Sequence, residues 1–538
     1  MSGNEPPLHF LSAGELQRKL EAGDTTSVKL VSHFLDQIER HNWQGRKLNA
    51  VTATLPRELA MARATELDEE RLNGNVRGPL HGIPIIIKDT VVTDEALGMP
   101  TSAGTAVLAI MKARENATIV DRMREAGLII LGKGNMTEFC GMKSKDTPVG
   151  WSAFKGQTLS AYRRKDLAEE DQPVSGGSSS GPAASVSAGF APLGIGTETT
   201  GSTVLPASTN GIYALKLSYG TVPTHGIFKL SRSFDCVGVM ARDPVDLAPL
   251  ASVLLSGSGD DGPQAGNMQA DSKGVSLHQG VRDGIEKGFE GMGIGVMAPA
   301  WGVHESIRKG KWDHPDVVSD ALLLTAIELT TTRQIGKYEG AVEKMKSLGA
   351  KTVYPLQVPE ADDVLKYRDQ SLVTAAYHEF PHNVDEFIAC FHGNDEIRNL
   401  QVIVGWNERN SDIAMPEPHT GQTELIAALN STLSPDEHAA TVAHLRRVAE
   451  QETMGKAMQD ADVDIVLSAS DAQLVTFAAC AGWPTAAVPL GRWTARNGQP
   501  YGMFALARGG REDVLLRFMV AWKGSIDGVE RPDMDGWE

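Results

Sequence analysis

The chain has 538 residues, 41% of them hydrophobic and 22% charged, which is ordinary for a globular fold and leaves the number of domains open. Its formal net charge of -17, from 51 basic and 68 acidic residues, argues against binding of nucleic acid or of an anionic membrane, because both need a basic surface. No apolar run approaches the roughly 20 residues that span a bilayer.

Cysteine usage and the first residues bear on the compartment. The four cysteines, Cys140, Cys236, Cys390 and Cys480, are widely spaced and form no C-x-x-C pair, so we predict free thiols and neither a disulfide framework nor a thiolate zinc site. The histidines also lack the tight spacing of metal ligands. Met1 to His9 lacks the basic and apolar regions of a secretory signal, so we expect a cytoplasmic protein.

The N-terminal region, residues 10–75, has a helical pattern. Ser12 with Glu15 three positions later is a capping-box pattern at the start of a first helix. Apolar residues recur at helical spacing from Val28 to Ile38, and Pro56 suits the first turn of a third helix. We interpret this region as mainly structural.

The pattern then changes to buried parallel strands. The run from Ile83 to Ile87 is too short for a helix and rich in β-branched residues, and it ends at Lys88, which alternation directs toward an apolar layer. A helix pattern from Thr118 to Ala126 and a second strand at Leu128 to Leu131 follow. The order strand, helix, strand indicates a parallel α/β unit.

The stretch from Ser175 to Pro206 is rich in glycine and hydroxyl side chains, a composition typical of flexible linkers. However, Ala183 to Gly189 has the pattern of a small-residue helix with a glycine cap, and Phe190 to Ile195 that of a buried strand. A solvated linker would not contain a buried strand. We therefore predict a structured unit of loop, helix, strand and loop.

The rest of the chain continues the α/β pattern, with an interruption. Ser256 to Gly291 is Gly-rich and polar and is the best candidate for a boundary or an excursion, and a long helix is predicted from about Val317 to Leu348. Further strands are predicted at Ile212–Leu217, Phe234–Ala241, Gly293–Met297, Thr352–Tyr354, Asp464–Leu467 and Thr485–Leu490.

Three polar side chains converge in this topology. In a parallel strand-helix-strand unit, Ser178 before the helix and Ser202 after the strand lie at the same sheet edge, and Lys88 ends its own strand at that edge. A lysine kept neutral by burial can take the proton of a serine nucleophile, and the turn Thr199–Ser202 can offer backbone N–H groups to an oxyanion. The pattern therefore predicts acyl transfer.

Each of these features has a plainer interpretation when taken alone. A lysine after an apolar strand is usually a solvated strand end, and Ser178 could be only a helix cap. A Gly/Ser loop before a helix can also cradle phosphate, but the sequence has neither G-x-x-x-x-G-K-[ST] nor a strand leading into G-x-G-x-x-G. The prediction therefore depends on the combination.

These motifs, with their spacing, resemble the amidase signature family. The Ser178 to Ser202 spacing matches that of the family and is more specific than any one motif. The similarity extends from about Ser12 to the C-terminus and is weakest in the middle third. The motifs that carry it are Gly82-Ile83-Pro84 with Lys88-Asp89, Gly176-Gly177-Ser178-Ser179, and Gly196-Thr197-Glu198-Thr199-Thr200-Gly201-Ser202.

The resemblance implies a fold and a domain plan. The fold would be α/β, with a large mixed, mostly parallel β-sheet covered by helices on both faces. Residues 1–538 would form a single domain. Its parts would be a helical region 10–75, a signature core 76–250, a variable excursion 256–460 and a return to the core at 461–538.

It also implies a site. Ser202 would be the acyl nucleophile, Ser178 a bridging serine held by a cis peptide, and Lys88 the base, with no metal or organic cofactor. Backbone N–H groups of Thr199, Thr200, Gly201 and Ser202 would hold the oxyanion.

The sequence departs from the family pattern beside this site. Thr200 stands where glycine is frequent, and Leu217 replaces a frequent proline. Val204 stands where many members have arginine, which leaves the partner of Glu198 open. None of these departures touches the three implied catalytic side chains.

Three functions remain open at this point. The favoured one is a stand-alone amidase that hydrolyses a small-molecule carboxamide or secondary amide, and also esters, because an acyl-enzyme route accepts either leaving group. It would need neither nucleic acid nor membrane, and a homodimer is one option for its oligomeric state. The alternatives are the amidase subunit of a tRNA-dependent amidotransferase, which needs a partner subunit, and a noncatalytic scaffold.

Overall fold

The apolar runs of the sequence form one mixed sheet, as seen in a computed structural model that describes residues 6–255, 277–302, 335–494, 496–526, 528–534 and 536. Eleven strands of these residues lie in the order β1-β4-β2-β7-β9-β8-β14-β15-β13-β10-β11. The strands are β1 (Val51–Thr54), β2 (Pro84–Lys88), β3 (Lys112–Ala113), β4 (Ile129–Gly134), β5 (Trp151–Ser152), β6 (Gly156–Gln157), β7 (Leu193–Glu198), β8 (Tyr213–Lys216), β9 (Cys236–Ala241), β10 (Gly293–Val296), β11 (Lys351–Val353), β12 (Phe391–His392), β13 (Ile465–Ala469), β14 (Thr485–Arg492) and β15 (Pro500–Ala507).

Strand directions differ across the sheet. β2 pairs in parallel with β4 and β7, as the strand-helix-strand pattern predicts, and β10 pairs in parallel with β13 and β11. Between these groups, β9, β8, β14 and β15 pair antiparallel with their neighbours, and β1 is an antiparallel edge strand. The predicted α/β class with a mixed sheet is confirmed.

Helices cover both faces of this sheet. Along β15, Met503, Ala505 and Ala507 belong to one hydrophobic core, whereas Phe504 and Leu506 belong to a second one, as expected when successive side chains point to opposite faces. The α-helices are Ala13–Ala22, Ser27–Ile38, Arg57–Leu72, Ala106–Ala109, Thr118–Glu125, Ser180–Ala188, Val204–Thr209, Leu247–Leu255, Leu277–Glu286, 335–347, Ala361–Val364, Leu372–Ile388, Leu400–Arg409, Ser411–Ala414, Thr423–Leu429, Pro435–Arg447, Met454–Asp460, Leu474–Ala481 and Glu512–Ser525.

Local signals predicted several of these elements well. Ser12 forms the expected capping box: its Oγ accepts from the Glu15 N–H at 3.1 Å, and its own N–H donates to Glu15 at 2.7 Å. The strand predicted at Phe190–Ile195 instead begins at Leu193, because Pro192 has no N–H to give to a ladder. The predicted helix from Val317 lies outside the described residues up to position 334, and residues 335–347 are helical.

The helix Ser180–Ala188 explains the small residues of the Gly/Ser stretch. All nine of its residues are buried. A Cβ at Gly181 would overlap the backbone of Asn135, and one at Gly134 on β4 would lie 2.5 Å from Cδ of Pro182. The segment is therefore a helix pressed against the sheet, and its small side chains allow that approach.

Lys133 on β4 and Asp89 after β2 form a buried ion pair close to the predicted site. Lys133 Nζ lies 3.5 Å from Asp89 Oδ1 and donates to the Val91 carbonyl and to the Thr101 hydroxyl, both at 2.6 Å. Neither side chain is exposed. Burial lowers the pKa of Lys133 to about 8 and raises the pKa of Asp89. The charged form of each side chain is therefore stabilised by the opposite charge of the other.

We expect Lys133→Met to lower the free energy of unfolding by about 3–5 kcal/mol, because it leaves the Asp89 charge buried without its partner. Urea denaturation measures this loss. As a matched control, Lys456→Met breaks the exposed pair with Asp460 and should cost less than about 1 kcal/mol. Equal losses in the two variants would contradict the role of the buried pair.

No helix among the described residues is both long enough and apolar enough to cross a membrane. All four cysteines are free thiols, as their spacing predicts.

Candidate active site

Lys88, the last residue of β2, is fully buried and surrounded by hydroxyl and carbonyl oxygens. Its Nζ lies 2.8 Å from Ser178 Oγ, 3.0 Å from Thr197 Oγ1 and 3.2 Å from the Thr197 carbonyl. Burial lowers the pKa of Lys88, and the nearby Cys140 and Asp235 oppose that shift. The expected burial of Lys88 is observed, but the groups that contact its Nζ are polar oxygens and not an apolar layer.

These oxygens suit both protonation states of Lys88. A neutral amine has two hydrogens and one lone pair, so the two Thr197 oxygens can accept the hydrogens while the Ser178 hydroxyl donates to the lone pair. An ammonium group can instead donate to the same three oxygens. Lys88 can therefore take up or release a proton without losing a partner.

Ser178 follows Gly177 across a cis peptide bond, as the resemblance implies. Only 4% of Ser178 is exposed, and its carbonyl accepts from the Thr137 N–H at 3.1 Å. The next residue, Ser179, donates its N–H to the carbonyl of Ser202 at 3.0 Å. The structure thereby places the Ser178 hydroxyl against Lys88 and the Ser202 backbone against the residue that follows Ser178, although the three residues come from separate parts of the chain.

The loop Thr199–Ser202 follows β7 at this site. Gly201 has φ +81°, a left-handed conformation that favours glycine, whereas Thr200 is exposed and does not adopt positive φ. This explains why threonine is tolerated at position 200, where the family often has glycine. Ser202 itself is half-buried.

Backbone donors of this loop are unpaired. Within the part of the chain that the structure describes, no acceptor binds the N–H groups of Thr199 to Ser202. The following two N–H groups, of Thr203 and Val204, donate to Glu198 Oε2 at 2.8 and 3.0 Å. Glu198 therefore binds the start of the helix Val204–Thr209, which a carboxylate favours, and does not need arginine at position 204 for these contacts.

Leu217, the other departure, also has a local explanation. Its N–H donates to the carbonyl of Val237 at 3.0 Å, a hydrogen bond that proline could not make. Leucine at position 217 therefore adds a backbone hydrogen bond between the residue that follows β8 and the second residue of β9.

Sequence reasoning assigned no role to two residues that the structure places at this site. Thr197 supplies two of the three oxygens around Lys88, and Asp235 accepts from the Thr199 hydroxyl at 2.5 Å. Thr197 lies in one of the motifs that carry the resemblance, but both contacts cross between strands. The Lys88 to Thr197 contact spans 109 positions of sequence, so no local pattern reveals it.

Comparisons with known proteins relate the chain to amidases in sequence and in fold. The family model described as Amidase matches residues 29–298. An amidase family protein from Bacillus anthracis superimposes with a TM-score of 0.81 at 29% identity, over 97% of this chain and 92% of that one. Native peptide amidase from Stenotrophomonas maltophilia gives a TM-score of 0.81 at 27% identity, over 97% of this chain and 98% of that one.

Among curated sequences, a glutamyl-tRNA(Gln) amidotransferase subunit from Symbiobacterium thermophilum is 37% identical over 294 residues. That match covers 54% of this chain and 56% of the relative. The chain thus spans about half the length of the amidotransferase subunits it matches, whereas the two solved structures match over nearly the whole chain.

Proposed function

This chain belongs to the amidase family, and from that premise we propose that it hydrolyses a carboxamide or secondary amide through an acyl-enzyme on Ser202. The observation that carries the proposal is the 2.8 Å hydrogen bond between Lys88 and Ser178, beside a loop whose backbone N–H groups have no acceptor among the described residues. The buried lysine supplies a base, and the loop supplies donors for an oxyanion. Together they provide what acyl transfer needs.

In the proposed acylation, neutral Lys88 takes the Ser178 proton while Ser178 takes the proton of Ser202. The freed Ser202 Oγ attacks the amide carbon, and the carbonyl oxygen becomes an oxyanion held by the N–H groups of Thr199 to Ser202. Ser178 then returns a proton to the leaving nitrogen as the C–N bond breaks, and it regains one from Lys88. Ammonia or an amine departs, and the acyl group remains as an ester of Ser202.

Deacylation repeats these steps with water as the nucleophile. The relay of Ser178 and Lys88 accepts a water proton as the water oxygen attacks the ester carbon. Collapse of the intermediate breaks the ester bond, returns a proton to Ser202 Oγ and releases the carboxylic acid. Because the acyl-enzyme is common to both leaving groups, esters should also be hydrolysed.

The choice of a stand-alone amidase is supported by the nearly complete overlap with the peptide amidase structure. Peptide amides are therefore the first substrates to test. The test is a mass-spectrometric panel of C-terminally amidated peptides, simple carboxamides and aryl esters, incubated with the purified chain. We expect release of ammonia from the amides and of the phenol from the aryl esters, and a transient mass increase on the peptide that contains Ser202.

The second candidate is the amidase subunit of a tRNA-dependent amidotransferase. It is supported by the 37% identity to a subunit of that kind, which extends over about half of this chain. That role predicts weak turnover of simple amides until a partner subunit is added. Rapid hydrolysis by the purified protein on its own would exclude it as the main function. If no amide or ester is hydrolysed and no fluorophosphonate labels the protein, the noncatalytic scaffold is the better interpretation.

A further inference from the structure

Asp235 lies opposite the first residue of the Thr199–Ser202 loop. In the antiparallel pairing of β7 with β9, Glu198 is the partner of Cys236, so Thr199 and Asp235 are the next pair beyond the ladder. Across this gap, Thr199 Oγ1 donates to Asp235 Oδ1 at 2.5 Å. The start of the loop is therefore held by the carboxylate of the residue that precedes β9.

The Asp235 carboxylate is itself held in place. Its second oxygen, Oδ2, accepts from the Leu230 N–H at 2.7 Å, and the Asp235 N–H donates to the Ser231 carbonyl at 3.0 Å. Both carboxylate oxygens thus act as acceptors, which is the role of the ionised form. A proton on Oδ2 would face the Leu230 N–H, which cannot accept it, and a proton on Oδ1 would require the Thr199 hydroxyl to turn and accept.

Contacts from the predicted excursion anchor the turn that carries Asp235. The hydroxyls of Ser231 and Ser233 both donate to the buried carboxylate of Glu379, and the Ser233 N–H donates to it at 3.3 Å. His438 Nε2 lies 2.8 Å from the same carboxylate. Glu379 therefore links helices of the excursion to the turn beside Asp235.

Charged and titratable groups face Asp235 from several elements. They are Lys88 at the end of β2, Cys140 in the turn after β4, Cys236 on β9 and Glu379 in the excursion. Burial raises the pKa of Asp235 to about 6, and the Thr199 hydroxyl opposes that shift. The Asp235 charge in turn favours the protonated form of Lys88 and raises its pKa against the effect of burial.

We propose that Asp235 is a positioning residue of this amidase site, which holds the Thr199–Ser202 loop through the Thr199 hydroxyl and is itself placed by Glu379. The inference rests on the proposed function of the loop as nucleophile and oxyanion site. The carboxylate has two effects: it fixes the unpaired N–H groups, and it moves the proton equilibrium of Lys88. If the role of Asp235 were merely structural, a substitution that left the stability of the protein unchanged would alter neither the loop nor the protonation of Lys88.

The test compares Asp235→Asn, Thr199→Val and Thr199→Ser in steady-state kinetics from pH 5 to 9, using the best amide of the panel. Asparagine keeps the size but offers only one acceptor oxygen. We expect Asp235→Asn to lower kcat on the order of 10- to 100-fold with KM little changed, because oxyanion donors act in the transition state. Its acid limb should move to lower pH, because Lys88 loses a nearby negative charge.

Thr199→Val should lower kcat to a similar degree, whereas Thr199→Ser keeps a hydroxyl and should keep a kcat close to that of the wild type. The double variant Asp235→Asn/Thr199→Val should have a kcat little lower than that of either single variant. The Thr199 pair keeps the proposal testable if Asp235→Asn does not fold. Additive losses, or an Asp235→Asn enzyme with unchanged kcat and an unmoved acid limb, would overturn it.

Asp246→Asn is the matched control. Asp246 is also buried, accepts N–H groups of Ala13 and Gly14 at 2.7 and 2.9 Å, and has a pKa raised by burial to about 7, but it serves another helix. Its kcat should stay within about two-fold of the wild type. Fluorophosphonate labelling of the wild type separates the two proposals. If the wild type is labelled and active and Asp235→Asn is unaffected, only the positioning role is rejected. If the wild type is neither labelled nor active, the proposed function itself is rejected.

Discussion

Ser202→Ala is expected to reduce amide turnover on the order of 10⁵- to 10⁶-fold and to abolish fluorophosphonate labelling, because removal of a serine nucleophile leaves only binding and oxyanion stabilisation. Thermal stability should change little, since Ser202 is half-buried and its backbone contact to Ser179 remains. Initial rates on the best amide and intact-protein mass spectra after labelling measure the two effects.

Ser185→Ala provides the control for this substitution. Ser185 lies in the helix Ser180–Ala188, and its buried hydroxyl has no hydrogen-bond partner among the described residues. Removal of that hydroxyl should leave both turnover and labelling intact. If Ser202→Ala kept wild-type turnover, or still formed a labelled adduct, the nucleophile would have to be sought elsewhere.

Lys88→Met is expected to lower kcat on the order of 10²- to 10⁴-fold, the range typical of losing a general base. The base is the neutral amine, and burial lowers the pKa of Lys88. Wild-type hydrolysis should therefore fall on acidification as Lys88 takes up a proton. The residual activity of Lys88→Met should lose the contribution of Lys88 to the acid limb and keep only the fall that protonation of Asp235, with a pKa of about 6, causes. A limb that survives unchanged would assign it to another group.

The thermal stabilities of Lys88→Met and Lys133→Met should distinguish the roles of the two buried lysines. A buried lysine with a lowered pKa holds fewer protons than it does in the unfolded chain, so folding becomes more favourable as pH rises toward the unfolded pKa. At neutral pH, burial of Lys88 is therefore a cost. We expect Lys88→Met to keep the thermal stability of the wild type and Lys133→Met to lower it. Of these two lysines, only Lys133 forms an ion pair with a buried carboxylate, that of Asp89.

Much of the site could be expected from the sequence because its motifs are local. The serines lie in short glycine-rich segments whose conformation needs small residues, and Lys88 ends a β-branched run that is too short for a helix and typical of a buried strand. The Ser12 capping box is likewise set by residues three positions apart. Such features depend on neighbours in the chain, so a single sequence contains the information.

Pairings in the middle of the sheet were harder to predict. The segments that form β8 and β9 were expected to continue the architecture of the first strands, and they do join the sheet, but both pair antiparallel. The strand β15 was not predicted, because Pro500 and Gly502 favour a loop when read locally. Apolar runs predict that a segment is buried, but they do not specify its neighbour or its direction.

The sequence alone therefore determined the family resemblance, the small residues that let a helix lie on the sheet, and which lysine and serines are candidates for catalysis. Only the tertiary structure decided which groups surround them: Thr197 beside Lys88, Asp235 beside Thr199, and the helix start beside Glu198. The physical reason is that these contacts depend on strand order and register. Groups distant along the chain create together the burial and hydrogen bonding that set the protonation of Lys88.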